Sequence, residues 1–284
     1  MGVVDKIFAE EPAGPIYHYT SNEGFLGIIE TKTLWASKLH YLNDSTEFAY
    51  ALGLIRANLE NRLRHERGPW NGFYGKALEG ISAIENVHVF VACFSEVGDL
   101  LSQWRGYCPD SVGYSVAFER QQLEEPMLRQ GFRLVRCVYD EERQNAIVNE
   151  IINSAGQGLD PAAPGAAATQ LVQRIPEVAP ALKHPKFSEE REWRLASMSA
   201  VSILAPQVRF RPSRWSLVPY YAFELCAAGQ PLTLSHVYVG PNPHMQLAEA
   251  AAFGALWNAG VKFAGSKNHP PIDVRPSSVP YRGW

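Results

Sequence analysis

The stretch Ile16-Tyr17-His18-Tyr19-Thr20-Ser21 joins a strand pattern directly to a helix start. Its first five residues are β-branched or aromatic apart from His18, a composition that is typical of a strand. Ser21 or Asn22 can cap the helix that follows. One face of that helix carries Phe25, Ile28 and Ile29. An extended run comes next, so the stretch predicts a strand, helix, strand opening with a titratable group inside an apolar strand.

Length and composition are compatible with one domain over residues 1–284. The apolar share of 46% is enough for a continuous core. The formal net charge is -3 and the pI is about 6.3, which disfavours a broad phosphate-binding surface but not a local basic patch. The composition therefore predicts an ordinary soluble globular protein.

Neither a membrane span nor a secretory signal is predicted. The longest apolar run, residues 89–94, is far shorter than the roughly 20 residues that a membrane helix needs. The N-terminal segment carries several charged side chains and lacks the apolar core of a signal peptide, which predicts a cytoplasmic protein. The cysteines form no Cys-x-x-Cys pair, and we expect free thiols at Cys93, Cys108, Cys137 and Cys226.

The rest of the chain predicts an α+β fold with a mixed, mostly antiparallel sheet and packed helices. Residues 87–94 are apolar on both alternating faces apart from His88, which is the pattern of a central strand. The other predicted strands are 113–118, 132–139, 191–196, 207–211, 218–225, 236–239 and a short one near Val261. The other predicted helices are a long one capped by Asp44 with Glu47, then 73–84, 141–152 and 245–258. Residues 154–168, rich in Ala, Gly and Pro, predict a flexible surface insertion.

Several common catalytic signatures are absent from the sequence. It has no Gly-x-Ser-x-Gly, Gly-x-Gly-x-x-Gly or Gly-Lys-Ser pattern, which disfavours α/β-hydrolase, dinucleotide-binding and P-loop functions. It also has no His-Glu-x-x-His, and its histidines are scattered, so we predict no metal site. The chemistry that remains is that of carboxylate, histidine and aromatic side chains.

The acidic strand pattern at residues 190–194 is one candidate site. Alternation along a strand places Glu190, Glu192 and Arg194 on one face and Trp193 on the other. Neighbouring carboxylates raise the pKa of one of them, while the arginine favours the charged form. Such a trio suits binding of sugar hydroxyls or stabilisation of a cationic sugar. A solvent-facing row of ion pairs is the equally simple alternative.

The other candidates are polar groups beside large aromatics. His18 is either a hydrogen-bonded structural residue or a functional one at the end of its strand. Ser95 follows the buried strand, where ligand-binding groups are common, although it can also cap a turn. Trp104 and Tyr107 share a helical face, which is either core or a ring for stacking. We interpret these residues and Glu192 as walls of one pocket.

Short motifs in a consistent order cover almost the whole chain. They are His18-Tyr19-Thr20, Leu34-Trp35-Ala36-Ser37, Leu42-Asn43-Asp44 with Glu47, Phe94-Ser95, residues 104–107, Phe187 with residues 190–194, Val239-Gly240-Pro241 and Pro280-Tyr281-Arg282. Together they resemble a bacterial family of domains of unknown function, number twenty-nine seventy-one. That family name carries no activity.

The order of a His-x-Thr strand, a short helix, a second strand, a serine-bearing strand and a late glutamate strand is similar to the ADP-ribosyltransferase fold. The resemblance implies an ADP-ribosyltransferase-like core that takes NAD as its substrate. His18 would hold a ribose hydroxyl, Tyr107 or Trp104 would stack on nicotinamide, and Glu192, with Glu190 behind it, would stabilise the ribose. The residues implied to catalyse are Glu192, Glu190 and His18. Those implied to contact NAD are His18, Tyr19, Thr20, Ser95, Trp104, Tyr107 and Arg194.

The hypothesis from the sequence is an NAD-consuming ADP-ribosyltransferase-like enzyme that acts on a protein or nucleic-acid acceptor. Analogy adds a role as a toxin or phage-defence effector. Other functions fit the same residues. They are a non-catalytic module that binds a nucleotide or a nucleic-acid end, a metal-independent hydrolase or nuclease that uses Glu190 and Glu192, and a regulatory partner protein.

Overall fold

The fold is that of a computed structural model, which describes residues 2–42, 47–66, 68, 70–82, 88–108, 112–158, 160–198, 201–213, 216–263 and 273–280. Its α-helices are α1 (Val3–Ala9), α2 (Asn22–Thr31), α3 (Glu47–His65), α4 (Trp70–Ser82), α5 (Leu101–Tyr107), α6 (Arg120–Gln130), α7 (Glu141–Ala155), α8 (Pro164–Val178) and α9 (Met245–Asn258). Its strands are β1 (Ile16–Thr20), β2 (Thr33–Lys38), β3 (Phe90–Ser95), β4 (Tyr114–Phe118), β5 (Phe132–Arg136), β6 (Glu192–Ser197), β7 (Val208–Pro212), β8 (Leu217–Glu224), β9 (Thr233–Leu234), β10 (Val237–Val239), β11 (Lys262–Phe263) and β12 (Val274–Pro276). Short 3-10 helices occupy Leu39–Tyr41, Ala179–Ala181 and Pro185–Glu190.

Within those residues, ten strands form one sheet. Eight of them follow the order β12-β10-β4-β1-β3-β2-β8-β7, and β6 joins β3 to β5. The pairing is antiparallel except between β10 and β12, which are parallel. The short strands β9 and β11 form a separate parallel pair. The predicted α+β fold with a mixed, mostly antiparallel sheet and packed helices is therefore confirmed.

Strand β3 has one continuous edge and one divided edge. Along the continuous edge, β3 pairs with β6 from Val91 to Ser95. On the divided edge, β2 pairs at one end, where Ser37 lies opposite Val91, and β1 pairs at the other, where Tyr17 lies opposite Ser95. β1 and β2 therefore diverge, and residues 92–94 of β3 border a gap between them.

Two apolar cores lie on opposite faces of the sheet. One contains Val91 and Val135 and the buried faces of α3, α4, α7 and α8. The other contains Phe94 and Trp193 and the buried face of α2. Because side chains alternate along a strand, β3 supplies Val91 to one core and Phe94 to the other. The prediction of a central strand that is apolar on both faces is confirmed.

Local sequence signals explain the elements beside the gap. The Ser21 hydroxyl accepts a hydrogen bond from the backbone N–H of Gly24 at 3.1 Å, which caps α2 as expected. Asp140 caps α7 in the same way by accepting from the backbone N–H of Arg143 at 2.8 Å. Helix α3 buries residues at helical spacing, namely Phe48, Ala51, Ile55 and Leu59. Side-chain caps thus fix the start of α2, directly after β1, and the start of α7.

Some predicted boundaries differ from the structure. Part of the predicted flexible insertion 154–168 is helix, because Pro164 is favoured at a helix start and Ala167 and Ala168 pack into the helical core. Strand β5 ends at Arg136 rather than at residue 139. Helices α1 and α6 were not predicted, and α6 has Pro126 in its interior. The predicted cap Asp44, like Asn43, Val87 and residues 281–282, lies outside the described residues.

Two further expectations concern the thiols and the membrane. All four cysteines are free, as predicted. In the described part of the chain, no helix has the length and apolar character needed to cross a bilayer. That the whole chain forms one domain stays a prediction.

Candidate functional site

A cavity of about 380 Å³ lies at the gap between β1 and β2. Its walls come from β1, the start of α2, β2, the divided edge of β3 and helix α5. Five of the predicted site residues line it together, namely His18, Tyr19, Thr20, Tyr107 and Glu192. Residues far apart in sequence therefore meet where the sheet divides.

His18 bridges the gap by a hydrogen bond to the edge of β3. Its Nδ1 lies 2.9 Å from the backbone oxygen of Cys93. A carbonyl oxygen only accepts, so Nδ1 carries the proton in this bond and Nε2 of the neutral ring is an acceptor. Burial lowers the pKa of His18, and the bond to Cys93 offsets this only in part. His18 is thus neutral at physiological pH and can accept a hydrogen bond from a ligand hydroxyl.

A buried cluster of charged side chains, which we call the charged cluster, stands behind the Glu192 wall. Its members are Glu47, Lys183, Glu190, Glu192 and Arg194. Arg194 Nε donates to Glu192 Oε1 at 2.9 Å, and Lys183 Nζ lies 2.5 Å from Glu192 Oε2. Lys183 also contacts Glu190 at 2.6 Å, and Glu47 pairs with both cations. Because the side chains of Glu192 and Arg194 are 3% and 1% exposed, the alternative of a solvent-facing row is wrong.

The pKa values in the charged cluster follow from burial and ion pairing. Burial alone would raise the pKa of Glu192, but Arg194 and Lys183 outweigh it and lower that pKa from 4.5 to about 2. Burial also opposes the charge of Lys183, yet Glu192 and Glu47 keep its pKa raised. Burial raises the pKa of Glu190, and Lys183 offsets this only in part. With all groups ionised, three carboxylates face two cations, which leaves one net negative charge beside the cavity.

The backbone around β6 explains why these groups converge. The period of two along the strand puts Glu192 and Arg194 on one face and Trp193 in the core, as predicted. Glu190, by contrast, ends a 3-10 helix, and Arg191 turns the chain with a left-handed backbone at φ 43°. Glu190 therefore approaches the cluster from a turn rather than from the strand.

Tyr107 is the predicted stacking residue that reaches the cavity. Burial raises the pKa of Tyr107, so its phenol is neutral. Trp104 is fully buried instead, and its ring lies edge-on to Tyr19 with centroids 4.7 Å apart. Its Nε1 donates to Asp99 at 2.8 Å. Trp104 therefore supports the cavity wall from behind, and Tyr107 is the ring that a ligand can meet.

Other predicted residues also lie behind the wall. The Ser95 hydroxyl donates to the backbone oxygen of Glu190 at 2.8 Å and accepts from the backbone N–H of Val97 at 3.1 Å. Arg194 is engaged by Glu192 and Glu47. The structure thus brings these groups to Glu192 without placing them on the cavity surface.

Sequence reasoning missed several residues of the site. Lys183 follows an apolar run that ends in a 3-10 helix, and its side chain is buried. The apolar residues before Lys183 are the one sequence signal that could have identified it as a buried charge. Glu47 was predicted as part of a helix cap, yet it pairs with Lys183 and Arg194. Trp35 and Arg211 line the cavity from β2 and β7 and were not candidates. Their roles depend on strand pairings that are remote in sequence.

The arrangement of the described His, Cys, Asp and Glu side chains decides whether they can hold a metal ion. In the ranges that the structure describes, no three His, Cys, Asp or Glu side chains are grouped so that they could hold a metal ion. The acids at the cavity are instead paired with Lys183 and Arg194. Protein cations thus occupy the positions next to these carboxylates.

Comparison with protein families gives a match to part of the chain. A family model described as a protein of unknown function (DUF2971) matches residues 103–195, about a third of the chain. Searches of the curated proteins and of the solved structures find no match. The matched segment runs from α5 into β6, so it includes Tyr107, Lys183, Glu192 and Arg194. This part of the chain is similar to that family, in agreement with the resemblance seen in the sequence.

Proposed function

We propose that this protein is an NAD-consuming enzyme with an ADP-ribosyltransferase-like core. The observation that carries the proposal is the cavity at the divided edge of β3, which gathers His18, Tyr107 and Glu192. These are the residues that the resemblance assigns to ribose, nicotinamide and the reacting sugar. A toxin or phage-defence role is part of the proposal by analogy alone.

Each of the three residues has a physical role in this proposal. His18 accepts a hydrogen bond from a ribose hydroxyl at Nε2, since its Nδ1 is held by Cys93. The neutral ring of Tyr107 stacks on the nicotinamide ring. Glu192 supplies negative charge next to the sugar, held in place by Arg194 and Lys183.

The negative charge of Glu192 is suited to the proposed cleavage of the nicotinamide–ribose bond. The bond between nicotinamide nitrogen and ribose C1′ breaks, its electron pair leaves with nicotinamide, and positive charge develops on the sugar. An acceptor nucleophile, or water, then bonds to C1′ and loses a proton. A fixed carboxylate beside the sugar favours this transition state over bound NAD, whose charge at the ribose is smaller. With all its groups ionised, the charged cluster carries one net negative charge, which fits that demand.

The proposal is tested by incubating the protein with NAD and following nicotinamide release and label transfer. We expect Glu192→Gln to lower the release rate by about a hundredfold, because it removes the charge next to the reacting sugar. Glu79→Gln, at an exposed ion pair with Lys76, is the matched control. Equal rates in wild type and Glu192→Gln would remove Glu192 from the mechanism.

A second variant protects this test from a folding defect. Tyr107→Leu leaves the ion pairs untouched and removes the ring that we propose for stacking. We expect it to raise KM for NAD while the melting temperature stays close to that of wild type. An unchanged KM would contradict the role of Tyr107.

One observation favours a second candidate function, a nucleotide-binding module without turnover. Both carboxylate oxygens of Glu192 are already held by cations, and the side chain is only 3% exposed. Equilibrium binding of NAD with no release of nicotinamide would favour this function. Release that depends on Glu192 would favour the enzyme.

A further inference from the structure

A second surface lies beside the cavity, on the sheet face formed by β2, β8 and β7. We call it the arginine face and define it by Trp35, Tyr220, Arg209 and Arg211. Tyr220 lies directly opposite both Ser37 of β2 and Arg209 of β7 in the strand register. Directly opposed residues share a face, and so do residues two apart along a strand. All four side chains therefore project from the same side of the sheet.

Trp35 is the aromatic platform of the arginine face. Its ring is stacked on Tyr220, with centroids 4.7 Å apart and an angle of 29° between the planes. Tyr220 is buried, whereas Trp35 is 43% exposed. One side of the indole is thus backed by a ring, and much of the rest is open. A backed, exposed indole is a suitable surface for stacking a planar base.

In the part of the chain that the structure describes, no carboxylate forms an ion pair with either arginine of the arginine face. Among the described residues, Arg209 has no ion pair or hydrogen-bond partner. Arg211 makes one long contact, from Nη2 to the Ser37 hydroxyl at 3.3 Å, and its buried Nε has no partner. A buried guanidinium N–H without a partner is costly, so an anionic ligand that accepts from it would be stabilised.

The arginine face continues into the proposed active site. A groove of about 400 Å³ is lined by Lys32, Trp35, Arg209 and Tyr220. Trp35 lines the cavity that holds His18 as well, and Arg211 lines that cavity beside it. The carboxylate of this groove, Glu224, is already paired with Arg129. A polyanion on the arginine face would thus contact guanidinium groups that no carboxylate of the described residues pairs with. It would also extend past Trp35 into the cavity.

We propose that the arginine face binds single-stranded nucleic acid and presents it to the cavity as the acceptor. An unpaired base stacks on Trp35, and the phosphates on either side pair with Arg209 and Arg211. Single strands suit this face better than duplexes because their bases are free to stack. The overall charge of -3 is compatible with this, since the positive charge is local. The acceptor role rests on the proposed function, whereas the binding does not.

The test measures binding of a fluorescent single-stranded DNA or RNA of about 12 nucleotides by anisotropy at several salt concentrations, without NAD. We expect Arg209→Glu with Arg211→Glu to weaken binding by about tenfold or more and to reduce the salt slope by about 1.4. Trp35→Ala weakens binding by about fivefold or more through lost stacking. Arg56→Glu on α3 and Trp257→Ala on α9, where Trp257 is 61% exposed, are matched controls with no expected effect.

Several results would overturn the inference. They are absence of binding by wild type at low salt, equal losses in the control variants, and equal affinity for a duplex of the same length. Arg209 is exposed, so the single variant Arg209→Glu keeps the test valid if Trp35→Ala or the double variant unfolds. Oligonucleotide binding without nicotinamide release would defeat the proposed function, and the acceptor role with it, but would leave the binding inference standing. Nicotinamide release without oligonucleotide binding would defeat this inference alone.

Discussion

The two walls of the cavity hold their polar groups in different ways. On one wall, His18 is neutral and depends on a single hydrogen bond to the backbone of β3. On the other wall, Glu192 is ionised and is held by ion pairs with buried cationic side chains. Removal of His18 leaves one carbonyl to find another donor, but removal of a cluster member leaves buried charges without compensation. The difference teaches that His18 can be tested for function with little effect on stability, whereas a substitution in the charged cluster needs a stability measurement beside the activity assay.

The largest effect is expected from breaking the charged cluster. In Arg194→Met, Glu192 and Glu47 lose one of the two cations that they share, so that Lys183 alone faces the three carboxylates of the charged cluster. We expect the free energy of unfolding to fall by about 3–5 kcal/mol, the usual cost of removing one partner from a buried ion pair. Urea denaturation measures this, with Arg56→Met on the surface of α3 as control. A loss below about 1 kcal/mol would mean that the cluster is far better hydrated than its burial indicates.

Lowering the pH tests the ionised state of Glu192 in the charged cluster. The pKa of Glu192 is lower in the folded chain, about 2, than its ordinary 4.5, so the unfolded chain takes up this proton first as the pH falls. The stability that Glu192 contributes is present above pH 4.5 and is lost as the pH drops towards 2. We expect the urea midpoint of wild type to fall more steeply in this range than that of Glu192→Gln. Parallel curves would show that Glu192 has an ordinary pKa.

The His18 wall predicts a smaller effect on stability and a clear one on function. His18→Ala removes one hydrogen bond to Cys93, so the free energy of unfolding should fall by about 1 kcal/mol. Under the proposed function, nicotinamide release should fall by about tenfold or more, because the ribose loses a contact. Since the pKa of His18 is lowered, the wild-type rate should not drop as the pH falls through 6.5. A loss of activity centred at pH 6.5 would contradict a neutral His18 with a lowered pKa.

Trp104→Phe should have the smallest effect of the set on nicotinamide release. The indole N–H to Asp99 is lost, but Asp99 also accepts from Ser277 and Ser278. We expect a loss of about 1 kcal/mol in unfolding free energy. Nicotinamide release should change little, because Trp104 supports Tyr19 from behind. A rise in KM for NAD as large as that expected for Tyr107→Leu would show that Trp104 takes part in ligand binding.

Much of the fold could be predicted because its signals are local. The capped start of α2, the helical spacing in α3 and the apolar run of β3 each depend on residues within a few turns. Alternation likewise put Glu192 and Arg194 on one face, and the structure confirms it. The first part of helix α8, residues 164–168, was predicted as part of a flexible segment, because its alanines and glycine resemble a linker until Ala167 and Ala168 are packed against other helices.

The candidate site was predictable in part only. Its residues His18, Tyr107 and Glu192 were marked by aromatic and acidic neighbours and by the family resemblance. Lys183 and Glu47 were missed because each reaches the cluster through tertiary packing that no sequence period shows. The bond from His18 to Cys93 exists only because β1 and β2 diverge along β3. Such a division of a sheet edge is set by pairing between distant strands.

The divided edge of β3 also bears on how the molecule melts. Along this edge, β1 is tied to β3 at Tyr17 and Ser95, and β2 is tied at Ser37 with Val91 and at Lys38 with Phe90. A compound that spans the opening and contacts both His18 and Trp35 would act as a brace between the two halves of the sheet. Its binding to the folded chain would then raise the melting temperature, by an amount that grows with the logarithm of the ligand concentration above Kd.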